Sequence, residues 1–105
     1  CKMTNSVPRL KTHFKKDALR CVDILQKCVT EIGISEDAKR IINNFLKVEY
    51  GQVEDKVKII IMSTYMTFLG KMDLNDKEAP VNKEIQQKLL SDLSMLRKAL
   101  APGKA

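Results

Sequence analysis

Few side chains in this 105-residue chain could carry out chemistry: one histidine, His13; three cysteines, Cys1, Cys21 and Cys28; and three runs of carboxylates, Glu36-Asp37, Glu54-Asp55 and Asp73 through Glu78. Catalysis by side chains needs a base, a nucleophile or a metal ligand set gathered in a pocket. His13 stands among Lys11, Lys15 and Lys16, where neighbouring positive charge makes a poor general base, and it reads as a surface residue. Each carboxylate run falls at an expected helix start or in a loop, where capping of free N–H groups accounts for it. The sequence holds no glycine-rich phosphate loop, calcium loop or Cys-His spacing of a zinc site. The expectation is a protein that is not an enzyme and needs no cofactor or metal.

The cysteines read as structural. Cys21 and Cys28 are seven residues apart, which on one helix is two turns and about 10 Å of rise, beyond disulfide reach. Cys1 could reach one of them, or a second chain, in a secreted protein; in a reducing compartment all three would be thiols.

Charge says more about partners. The net charge is +6, and the first twenty residues hold Lys2, Arg9, Lys11, Lys15, Lys16 and Arg20 against Asp17 alone. Such a basic end could meet nucleic acid, acidic glycans, anionic lipid or an acidic protein surface; the last is the expected partner, with Lys11, Lys15, Lys16 and Arg20 as the candidate binding residues and a merely solvated helix face as the plainer reading. Nucleic acid is disfavoured: base readout enlists exposed Arg, Asn or Gln or stacking aromatics, and Phe14 falls on the apolar side of this helix.

Four helices must position these residues. Val7, Phe14, Cys21 and Cys28 repeat every seven residues, interleaved with Ala18, Leu25 and Ile32, which marks a long amphipathic helix over 7–32 that Gly33 ends as a left-handed cap. Ser35 and two acids open a helix over 35–50 with Ala38, Ile41, Ile42, Phe45 and Val48 buried and Gly51 as its stop. A third runs over 53–72 with Val57, Ile60, Ile61, Thr64, Tyr65, Phe68, Leu69 and Met72 inward. A fourth, opened by Pro80, runs over 80–100 on Val81, Ile85, Leu89, Leu93, Leu96 and Leu100. The fold class is therefore all-α, one four-helix bundle-like domain over 1–105.

The third helix is unusual because Ile59, Met62 and Met66 fill the side opposite its main stripe. The run is well short of the ~20 residues that span a bilayer, so no membrane span is expected. A helix apolar all round needs either the middle position in its bundle or a second subunit, and the expectation is a homodimer with Ile59, Met62 and Met66 at the contact. A lesser alternative makes Met62, Met66, Met72 and Met95 the lining of a lipid-carrying cavity.

The segment Val57-Lys-Ile-Ile-Ile-Met-Ser-Thr-Tyr-Met-Thr-Phe-Leu-Gly-Lys-Met72 resembles the central helix of interferon-gamma-type cytokines, and Ser91-Asp-Leu-Ser-Met-Leu-Arg-Lys-Ala99 is similar to a late helix of that family. The chain departs from the pattern in the short spacing between the two segments, in its reduced basic tail Ala101-Pro-Gly-Lys-Ala105 and in its two seam cysteines, so no receptor-contact residue transfers. The resemblance implies a secreted, interlocked homodimer that binds a cell-surface receptor. The expected function is thus non-catalytic: a small secreted, cytokine-like signalling or recognition protein. The alternative is a cytoplasmic or nuclear helical interaction module cut from a larger chain.

Overall fold

The structure, a computed structural model, describes residues 12–100. They form four helices, α1 (Thr12–Glu31), α2 (Glu36–Lys47), α3 (Gln52–Lys71) and α4 (Pro80–Leu100), with no strand among the described residues. The chain is an all-α, four-helix bundle-like domain. Val7, Pro8 and Lys11, expected in the first helix, lie outside the described residues.

The helix at the centre is α1. It packs against each of the other three, and α2 rests chiefly on it. Its sequence explains this position, because Val22 and Val29 join Phe14, Ala18, Cys21, Leu25 and Cys28 in the core. The seven-residue seam read from the sequence is therefore only half of a wider apolar arc. Against that arc lie Ala38, Ile42 and Phe45 of α2, Ile61, Tyr65 and Phe68 of α3, and Leu89, Leu93, Leu96 and Leu100 of α4. Hence α3, expected either at the hub or under a second subunit, sits at the periphery.

Helix ends follow capping chemistry, with one exception. Ser35 accepts from the Ala38 N–H at 3.1 Å, and Glu36 and Asp37 fill the first turn of α2. At the end of α1 the Gly33 N–H reaches the Cys28 carbonyl at 3.0 Å and the Ile32 N–H that of Val29 at 3.3 Å, the paired bonds of a Schellman stop. The left-handed residue in that stop is Ile32, with φ 52°, and not the glycine after it. A β-branched side chain in this region costs about 1–2 kcal/mol, and it is held there because Ile32 packs partly buried against the core.

Helix α2 stops at Lys47, short of Tyr50. Val48 takes an extended conformation as C-cap and is exposed, contrary to the expected stripe. This early exit lets Tyr50 fold back onto α1, its ring edge-on to Phe14 at 4.7 Å and 5.7 Å from Phe45. Gly51, expected as a stop for α2, instead precedes α3: a Cβ there would meet the Glu54 carboxylate at 2.7 Å, so the bare glycine leaves room for that buried acid over the positive end of α3.

The turn between α3 and α4 is held by one buried amide. Asn82, fully buried, donates through Nδ2 to the carbonyls of Asp73 (2.9 Å) and Asp76 (2.8 Å), while its Oδ1 accepts from the Asp73 N–H at 2.7 Å. Around it the Asp73 carboxylate accepts from the N–H groups of Asn75 and Asp76, and that of Asp76 from Glu78. Asp73 and Asp76 thus cap N–H groups of this loop, as their sequence positions suggest.

Candidate protein-interaction surfaces

The basic surface of α1 is narrower than its composition implies. Lys16 and Arg20 are exposed and one turn apart; Lys27 continues their line two turns further on. Lys15 is half-buried and points about 100° to one side of Lys16. Lys11 lies outside the described residues. Lys2, Arg9, Lys11 and Lys104 supply four of the six net charges, and the undescribed termini hold no acid, so the described bundle carries only the remaining two. Two acids of α1 are engaged within the fold: Asp17 accepts from the Tyr50 hydroxyl at 3.2 Å, and Asp23 pairs with Arg97 of α4, which also donates to Gln26 at 2.6 Å. What remains outward is a short ridge, Lys16, Arg20 and Lys27. Lys27 was not among the sequence candidates; its i, i+7 and i+11 spacing from Arg20 and Lys16 could have found it.

Cys21 and Cys28 are free thiols facing the core, 1% and 6% exposed. Burial, reinforced by Asp17 and opposed by Arg20, pushes the Cys21 thiol up to about 12, and burial raises Cys28 as well. A thiol held protonated is a poor nucleophile and metal ligand, so both act as small apolar packing residues. Tyr50 is likewise raised to about 12, by burial and by the hydrogen bond to the Asp17 carboxylate. His13 is exposed, its ring 5.9 Å from that of Tyr50. No group of three or more His, Cys, Asp or Glu side chains suited to a metal ion occurs among the described residues.

Two grooves flank the contact of α1 with α2. One, of about 230 Å³, is bordered by Asp17, Arg20, Cys21, Asn44 and Tyr50. The other, of about 510 Å³, has Ile24, Cys28, Ile34 and Ile41 as its floor and Lys27, Glu31, Asp37 and Lys77 around it. Both are open clefts of mixed polarity.

The outer face of α3 is the most distinctive surface. Ile59, Met62, Met66 and Leu69 are 58%, 45%, 61% and 37% exposed, and their i, i+3, i+7, i+10 spacing puts them within about 80° of arc. The structure thus brings together the three residues singled out for self-association, Ile59, Met62 and Met66, and adds Leu69, which the sequence pattern had assigned to the core. Ile60, also expected inward, is 45% exposed on the flank toward α4, beside Met95. Val81 at the start of α4 is exposed too, against expectation. Met62, Met66 and Met95 are on the surface while Met72 is in the core, so the four methionines share no cavity. Between the large apolar side chains of α3 lie small ones, Ser63 and Gly70, both exposed; a Cβ at Gly70 would meet no atom within 4 Å.

No helix among the described residues is long and apolar enough to cross a membrane. No protein-family model, curated protein or solved structure matches the chain.

Proposed function

We propose that this is a non-catalytic binding protein, small, secreted and cytokine-like, that acts through protein–protein contacts and self-associates through the outer face of α3. One observation carries the reading: four large apolar side chains, Ile59, Met62, Met66 and Leu69, form a continuous exposed stripe on a helix whose opposite side completes the core. Large apolar patches on water-soluble surfaces mark interaction sites. Among the described residues none of the four belongs to the core or to the side chains packed against it, so their apolar character calls for a reason outside the core. The resemblance of α3 to the central helix of interferon-gamma-type cytokines supports the signalling part of the proposal, with the Lys16–Arg20 ridge meeting an acidic receptor surface. Sedimentation of the purified chain tests the reading: dimers at micromolar concentration support it, and a monomer up to several hundred micromolar refutes self-association.

A second reading, an intracellular helical interaction module, has its own support. Small secreted domains commonly lean on disulfides, whereas Cys21 and Cys28 are free and buried here. Counting thiols after denaturation of air-exposed native protein separates the two: three thiols favour the intracellular module, and a disulfide made by Cys1 favours the secreted one.

A further inference from the structure

Resting on the proposal that the outer face of α3 self-associates, we infer that its occupant is the same face of a second copy, with the two α3 helices antiparallel and in a register that seats Ile59 of each copy over Gly70 of the partner subunit. The area is right for a second copy. Four side chains exposed by roughly half offer on the order of 400 Å² of apolar surface, and a standard dimer buries about 800 Å² per partner, a little over half of it apolar. Self-pairing about a two-fold axis makes the patch its own complement.

The order of large and small residues selects the direction. Along the outermost line of α3 run Ile59, Ser63, Met66 and Gly70. In an antiparallel pair whose facing positions sum to 129, Ile59 meets Gly70 of the partner subunit and Met66 meets Ser63 of the partner subunit, a large side chain over a small one in every layer. Met62 then lies beside Leu69 of the partner subunit. In a parallel pair Ile59 meets its own copy and Gly70 its own copy, alternately crowding and emptying the contact, which close packing disfavours. Gly70 also becomes intelligible. A glycine within a helix costs about 1 kcal/mol relative to alanine, and nothing among the described residues occupies the space its missing side chain leaves. The side chain of Ile59 from a second copy fills it.

The test uses the 105-residue chain carrying Cys1→Ser to remove an unrelated thiol; Ile59 and Gly70 are exposed, so cysteines there leave the core intact, which circular dichroism verifies. The double variant Ile59→Cys/Gly70→Cys should oxidise to a covalent dimer, while Ile59→Cys alone and Gly70→Cys alone should not. Within one chain the two positions are about 16 Å apart along the helix, so only a second chain can close the bond. Cross-linking of either single variant as efficiently as the double one overturns the inference in favour of parallel pairing or of an antiparallel register centred on that residue. A wild-type dimer in sedimentation with no cross-link in any variant overturns the register but leaves self-association standing, whereas a wild-type monomer removes both. Independently, Gly70→Gln should raise the thermal midpoint of the monomer and weaken dimerisation about tenfold or more; unchanged dimerisation counts against the close approach.

Discussion

Replacing Asn82 should damage the fold more than any other single polar substitution among the described residues, and the geometry sets the size. Asn82→Ala removes three hydrogen bonds and leaves the Asp73 N–H and the Asp73 and Asp76 carbonyls without their buried partner. A net loss of about 1 kcal/mol per bond gives about 3 kcal/mol, and water entering from the exposed side of the loop limits the further penalty for orphaned groups. Asn82→Asp keeps the shape and the acceptor for Asp73, but turns an oxygen toward two carbonyl oxygens. It exchanges two attractions for two repulsions at a fully buried position, so at neutral pH it should be worse than alanine. Its folded carboxyl is pushed above the unfolded value of about 3.9. The aspartate variant should therefore lose stability as pH rises through and above that value, and recover toward the alanine variant below it, where both states are protonated. Urea unfolding of the three proteins at pH 3.5 and pH 7, followed by circular dichroism, measures this. An alanine variant within about 0.5 kcal/mol of wild type, or an aspartate variant equal to it at pH 7, would refute the account of the loop.

At Ile32 the usual ranking should invert: Ile32→Gly and Ile32→Ala lose the same packing, but glycine relieves the φ of 52°, so the glycine variant should be more stable by about 1 kcal/mol in the same denaturant assay. Because burial holds Cys21 and Tyr50 protonated up to about 12, their contribution to stability is complete below the unfolded thiol value and is lost as pH climbs from about 9 toward 12; Cys21→Ala/Tyr50→Phe should flatten that alkaline decline in a pH series of thermal midpoints. Met62→Lys/Met66→Lys should leave helix content unchanged and abolish the dimer in sedimentation, an effect that retained dimers would rule out. Reversing Lys11, Lys15, Lys16 and Arg20 to Glu should leave the fold intact and remove binding to an acidic partner surface; full affinity in that variant would exclude α1 as the binding face.

Sequence periodicity set the phase of α1, α2 and α4 because each has a polar side to mark it, and it placed the buried leucines of α4 without error from Leu89 to Leu100. It was least informative where both sides are apolar. In α3, Ile60 and Leu69 fit an inward stripe as well as Ile61 and Phe68 do, and only the positions of α1 and α4 decide which pair faces out. For α1 the opposite happened: Val22 and Val29 widen the buried arc, but they acquire meaning only when α4 is seen on that side. The Asn82 network was not legible at all, since an asparagine early in a helix reads as solvent-facing until the loop it clasps is known. The left-handed residue was misplaced by one position because glycine preference is a strong local signal, and the core contact that holds Ile32 there is not local.

The site and the topology have a common origin. Of the four helices, α1 is the one that packs against all the others. Its inward side carries Phe14, Ala18, Cys21, Val22, Leu25, Cys28 and Val29, all buried. Once α1 is the hub, α3 can bury only the side bearing Ile61, Tyr65 and Phe68, and its second apolar side is left outward. Making that side polar would leave the core of the described residues intact, and an alanine at Gly70 would meet no described atom and raise helix stability. The proposed second copy against α3 would account for both the exposed apolar side chains and the glycine among them. Salt dependence distinguishes this body from one that docks on Lys16 and Arg20: two copies each carrying +6 repel and associate more tightly as salt rises, while an acidic partner on the α1 ridge is released.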